Sequence, residues 1–117
     1  MDKLNWTAKM IINHLPKRFK SSESIGYNTI VHFKLTGNDG GEFTIKIEDA
    51  ECFFYNGLVG TPKCVIMAKD KDYEAIEKGK LNALIATGNG QIKVSNKIEL
   101  FSFQQRFYGL LSSKWTY

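Results

Sequence analysis

At 117 residues, with 43% of them hydrophobic, the chain is long enough to bury a core without disulfide or metal staples and short enough to form one domain over 1–117. No window approaches the roughly 20 apolar residues of a membrane span, and no apolar signal core opens the chain, so the expected location is cytoplasmic. The net charge of +4 lies in residues 1–20, where Lys3, Lys9, Lys17, Arg18 and Lys20 face only Asp2.

Leu4, Ala8, Ile11 and Leu15 recur at helical spacing, with Trp6, Met10 and Ile12 widening the apolar surface. The pattern predicts one helix, capped by Asp2 or Asn5 and ended by Pro16. The KRFK cluster that follows suits a helix C-terminus, where the dipole favours positive charge. With Phe19 inside it, the cluster also offers Lys17, Arg18 and Lys20 as contacts for an anionic head group or membrane surface.

Ser21, Ser22, Glu23, Ser24 and Gly26 read as a linker. From Tyr27 to Thr36 and from Glu42 to Glu48, apolar residues alternate through Val31/Phe33/Leu35 and Phe43/Ile45/Ile47. Such alternation sends one face inward and the other outward. Between the runs, Gly37, Asn38, Asp39, Gly40 and Gly41 supply residues that tolerate positive φ, so the pair is a β-hairpin. Asp49-Ala50 makes a second reversal into Cys52-Phe53-Phe54-Tyr55, and Asn56-Gly57 ends that third strand.

Cys64 to Ala68 is a continuous apolar run, suited to a strand covered on both faces. Asp70 caps a short helix carrying Tyr73 and Ile76 inward, with Gly79 as its stop. Asn82 caps a further turn or two through Ala83-Leu84-Ile85-Ala86, and Gln91 to Ser95 alternates as a fifth strand. Asn96 and Glu99 form a capping-box pair at the start of a last helix. Leu100, Phe103, Phe107, Leu110 and Leu111 lie on one face of that helix, flanked by Phe101 and Tyr108. Core walls and pocket walls use the same residue types, so this stripe fits either.

Catalytic signatures are missing. His14 and His32 lack sequence partners and read as surface residues. No GxSxG, HExxH, GxxxxGK[ST] or helix-opening GxGxxG occurs. Cys52 and Cys64 fit neither CxxC nor Cys/His ligand spacing, so they read as buried free thiols, and no metal or cofactor is expected. Phe53 and Tyr55 alone among the strand aromatics fall on the outer face, too few for a base-stacking platform, so no nucleic-acid binding is expected.

The succession FKLTGNDGGEFTIKIEDA, then CVIMAKDKDYEAIEKGKLNALIATGNGQIKV, resembles the sterol carrier protein type-2 family of non-specific lipid-transfer proteins. Matching pieces are Phe33/Leu35/Gly37, Gly40/Gly41, Phe43/Ile45/Asp49, Cys64 to Ala68, Asp70/Asp72/Tyr73, Gly79/Lys80/Leu81/Asn82 and Gly90/Ile92/Lys93/Val94, in order over about two-thirds of the chain. Ala50 stands where the family commonly has Gly, Ala83 where Pro often follows GKLN, and the last segment carries Ile98, Leu100, Phe101 and Phe103 in place of Gly and Met.

The resemblance implies an α+β fold. Its five-stranded mixed sheet has order 3-2-1-4-5, with helices over one face, an apolar tunnel between the layers, and Cys52 and Cys64 on non-neighbouring strands. It also implies non-catalytic, non-covalent binding or transfer of a fatty acid, acyl-CoA, sterol or similar lipid. The expected wall is Met67, Tyr73, Ile76, Leu81, Leu84, Ile85, Leu100, Phe103 and Phe107, and the phenylalanines predict a smaller, more closed cavity than usual. The competing expectation is an accessory interaction module whose Phe-rich last helix buries itself in a homodimer. A third, an enzyme acting on a small apolar substrate, has only Tyr73 and His32 to move a proton.

Overall fold

The structure, a computed structural model, describes residues 2–117. Among these, five strands form one sheet: β1 (Thr29–Thr36), β2 (Gly41–Glu48), β3 (Glu51–Asn56), β4 (Cys64–Lys69) and β5 (Ile92–Val94), in the order β3-β2-β1-β4-β5. β1 pairs antiparallel with β2 and parallel with β4; β2–β3 and β4–β5 are antiparallel. Because strand side chains alternate, Phe33 sits beside Phe43 and Ile66 on the face that also carries Val31, Ile45, Ile47 and Cys64, all of them buried. The core lies between this face and the helices.

The strand pairs are set by their turns. Asp49 and Ala50, with φ of 55° and 58°, form the two-residue turn whose twist matches a hairpin. Gly37, at φ 102°, reverses the chain between β1 and β2 and receives the Gly40 amide on its carbonyl at 3.1 Å. From β3 the chain reaches β4 by crossing the sheet's outer face through residues 57–63. There Thr44 Oγ1 donates to the Gly57 carbonyl (2.8 Å) and accepts from the Val59 amide (2.9 Å), and His32 Nε2 donates to the Val59 carbonyl (2.9 Å). His32 is therefore buried under a crossover, contrary to the expected surface position.

The N-terminal segment departs from the single helix its periodicity predicts. A 3₁₀ turn over Lys3–Asn5, capped by Asp2, is followed by α1 (Ala8–Asn13), which Thr7 caps through the Met10 amide at 3.3 Å. Pro16 then falls in the first turn of a second short helix, α2 (Leu15–Arg18), where its missing N–H is no loss. Next come α3 (Asp70–Glu77), α4 (Ala83–Gly88) and α5 (Lys97–Gln104). Asn82 caps α4 through the Leu84 and Ile85 amides, and Asn96 caps α5 through the Glu99 amide.

The last helix is also shorter than its stripe implies. It ends at Gln104, because the chain beyond pairs elsewhere: Phe107 bridges Phe19 in antiparallel fashion, with Lys20 N–H to Arg106 C=O (2.7 Å) and Tyr108 N–H to Arg18 C=O (2.8 Å). Leu110 is buried by this excursion, and Leu111 is exposed. β4 likewise differs from the strand covered on both faces. Ile66 points into the core, whereas Met67 points outward and is 48% exposed.

Candidate functional site

Between sheet and helices lies a cavity of about 270 Å³. Its floor is Phe33 of β1 and Ile66 of β4. One wall is Tyr73, Ile76 and Glu77 of α3, and another is Leu100, Phe103 and Gln104 of α5. Each trio has the i, i+3, i+4 spacing that puts three side chains on one helix face. Leu15 and Arg18 of α2, with Phe107, Tyr108 and Gly109, close the remaining side. The lining aromatics touch one another: Phe103 lies 4.9 Å from Phe107 and 6.3 Å from Phe33, centroid to centroid. They narrow the space they enclose.

One end of this apolar cavity is polar. Arg18, only 4% exposed, donates Nη2–H to Glu77 Oε1 (3.1 Å) and Nη1–H to Oε2 (3.2 Å), and its Nε–H goes to the Tyr108 carbonyl (2.9 Å). The Tyr73 hydroxyl donates to the same Glu77 Oε2 at 2.8 Å. Burial, then the neighbouring Glu77 carboxylate, holds the Tyr73 hydroxyl well above its ordinary pKa, so it stays neutral and donating.

The expected wall is brought together only in part. Tyr73, Ile76, Leu100, Phe103 and Phe107 line the cavity. Leu81 packs at the margin of the core without lining it. Met67, Leu84 and Ile85 do not reach it: Met67 projects from the opposite sheet face, and Leu84 and Ile85 are 85% and 64% exposed on α4, which turns only Ala86 inward. Of the basic trio, Lys17 is exposed and Lys20 is half-buried with its ammonium 5.1 Å from the Tyr108 ring, but Arg18 is consumed by Glu77.

Sequence reasoning missed Glu77, which reads as one more solvated carboxylate. Its only signal was the four-residue spacing from Tyr73 beside the inward Ile76. Leu15, Phe33, Ile66, Gln104, Tyr108 and Gly109 were also missed as lining residues. The two candidate proton-transfer groups do not meet, since His32 and the cavity-lining Phe33 face opposite sides of β1. Burial raises both thiols, that of Cys52 to about 12, so neither is a ready nucleophile at neutral pH. Asp39, Asp70 and Glu74 bring carboxylate oxygens within 4.8 Å of one another. They are already engaged, with Lys71 bridging Asp39 and Glu74, and the Asp39, Lys71 and Ala8 amides donating to Asp70 or Glu74.

No protein-family model matches the sequence, and no curated protein matches it. Solved structures do. A double mutant of the sec-alkylsulfatase PisA1, an enzyme also solved from Pseudomonas sp., superposes with a TM-score of 0.78 at 13% identity, over 90% of this chain and 17% of that one. This chain thus spans under a fifth of the enzyme's length. Palmitated SCP2L2 from Aedes aegypti superposes with a TM-score of 0.61 at 14% identity, over 85% of this chain and 91% of that one. Sterol carrier protein domain 2 of Helicoverpa armigera gives 0.59 at 21% identity, over 84% and 82%. The chain has the sterol carrier protein 2 fold.

Proposed function

We propose that the chain binds the apolar chain of a lipid-like ligand, non-covalently, in the cavity between α3, α5 and the sheet. The observation that carries this reading is the cavity itself. It lies at the place where the fold separates its two layers, and Phe33, Ile66, Ile76, Leu100, Phe103 and Phe107 line it. A palmitated structure among those sharing the fold supports it. At about 270 Å³ the cavity lies just below the roughly 300–1,000 Å³ of small-molecule sites. It therefore suits a short chain, or the end of a longer one, better than a rigid ring system. Each methylene leaving water contributes about 0.8 kcal/mol, and such contacts discriminate weakly by length. Lys17 and Lys20 are the groups available for an anionic membrane surface during loading.

Native mass spectrometry of freshly purified protein, followed by organic extraction, tests this. A co-purifying lipid, or uptake of added decan-1-ol at one equivalent, is the expected result. A protein that stays empty and takes up no chain overturns it. A second reading, favoured by the superposition on a small part of an alkylsulfatase, is an accessory interaction module that docks on another protein or pairs with another copy, its phenylalanines serving as core. Under that reading the same experiment gives an empty protein, and size-exclusion chromatography gives a dimer or a complex.

A further inference from the structure

The polar end of the cavity is built around a carboxylate that the protein supplies itself. Arg18 is buried, and its three hydrogen bonds go to both oxygens of Glu77 and to the Tyr108 carbonyl. The Tyr73 hydroxyl also donates to Glu77. Three of the five N–H donors of Arg18 and the Tyr73 hydroxyl are thus taken by the protein's own groups, ahead of any anionic ligand head. Gln104 and Tyr108 are the other lining residues with polar side chains, Gln104 exposed and Tyr108 half-buried.

An ionised carboxylate has about four lone-pair sites and no donor. Glu77 has three of those sites occupied, so what it still offers a ligand is acceptance. A hydroxyl head can donate to it. A carboxylate or sulfate head can only accept, and it would place a second negative charge beside Glu77, competing with that carboxylate for the single Arg18 cation. We infer that Glu77 sets the ligand class of this cavity, admitting uncharged, hydroxyl-headed chains and excluding fatty-acid anions. This rests on the apolar-ligand reading above and adds to it the identity of the head group.

Three probes of equal chain length separate the terms: decan-1-ol, its methyl ether and decanoate, titrated calorimetrically into the full chain at about pH 8, where the acid is ionised. Decan-1-ol is expected to bind about tenfold or more tighter than decanoate. It is also expected to bind about threefold or more tighter than the ether, which keeps the oxygen but lacks the proton to donate. Decanoate within tenfold of the alcohol, or an ether as tight as the alcohol, overturns the inference while leaving the apolar-ligand reading intact. If none of the three binds, the apolar-ligand reading itself fails.

Glu77→Gln supplies the complementary result. With the carboxylate gone, Arg18 becomes available to the ligand, and decanoate affinity is expected to rise about tenfold or more. Unchanged decanoate affinity in a folded E77Q protein overturns the assignment to Glu77. Should that variant fail to fold, the comparison of alcohol with ether on the unaltered chain decides the matter.

Discussion

The carboxylate of Asp70 fills the space in which a side chain on Gly37 would begin: a Cβ there would lie 2.2 Å from Asp70 Oδ1. Asp70 Oδ2 accepts the Asp39 amide at 3.0 Å, and Oδ1 accepts the Lys71 amide at 2.8 Å. One carboxylate thus fastens the β1–β2 turn to the first turn of α3. Since α3 carries Tyr73, Ile76 and Glu77, this contact helps to position one wall of the cavity. Gly37→Ala should cost about 2–3 kcal/mol, from the positive φ and the displaced carboxylate together. A urea titration measures it as a lowered midpoint at unchanged slope.

The second hairpin predicts the opposite sign. Ala50 holds φ 58°, its carbonyl accepting the Ser21 hydroxyl at 2.6 Å, a bond that a glycine would keep, and L-residues with a Cβ are disfavoured in that region by about 1 kcal/mol. Ala50→Gly should raise stability by about 0.5–1 kcal/mol, after allowing for the extra freedom of glycine in the unfolded chain. The urea midpoint should rise accordingly, and an unchanged or lowered midpoint would count against the strain.

A third prediction contrasts two ion pairs. Removing one partner of the buried Arg18–Glu77 pair strands the other, so Arg18→Met should cost about 3 kcal/mol and be little affected by salt. Lys71, two-thirds exposed, pairs with Asp39 at 2.8 Å, yet Lys71→Met should cost under about 1 kcal/mol. Parallel thermal melts at low and high ionic strength give both values.

The cavity reading predicts a further pair of outcomes. Leu100→Trp places a larger side chain in the lining, and it should abolish decan-1-ol uptake at a stability cost of about 1–3 kcal/mol. Leu84→Lys, on the exposed face of α4, should leave uptake unchanged and stability within about 0.5 kcal/mol. Calorimetric titration and circular dichroism of the two proteins separate loss of the site from loss of the fold. Binding lost in Leu84→Lys would move the site to α4.

What was legible in the sequence follows the range of the forces involved. Alternation at Val31/Phe33/Leu35 and Phe43/Ile45/Ile47 located two strands, because one-sided burial repeats every second residue. Periodicity could not show that Pro16 begins a helix, since the break is set at His14 (φ −94°, ψ 2°), a residue shared by the ends of α1 and α2. Nor could it show that the stripe through Phe107 leaves the helix at Gln104, because the pairing with Phe19 joins residues 88 positions apart. Met67, Leu84 and Ile85 misled for a simpler reason: apolar side chains remain common on protein surfaces. Glu77 misled in reverse, since only the approach of Arg18 from α2 distinguishes it from a solvated acid.

The crossover of residues 57–63 over the sheet also has a meaning in time. The two hairpins of β1, β2 and β3 join near neighbours in sequence, whereas β1 and β4 pair in parallel across some thirty residues, as in Phe33 with Ile66. Closing that longer loop carries the larger entropic cost and is expected to follow the hairpins. The bonds from Thr44 and His32 to the crossover should then form with it, on the late side of the folding barrier. Thr44→Val should accordingly quicken unfolding and leave the refolding rate almost unchanged, which makes the strap on the outer face a brake on loss of the native state.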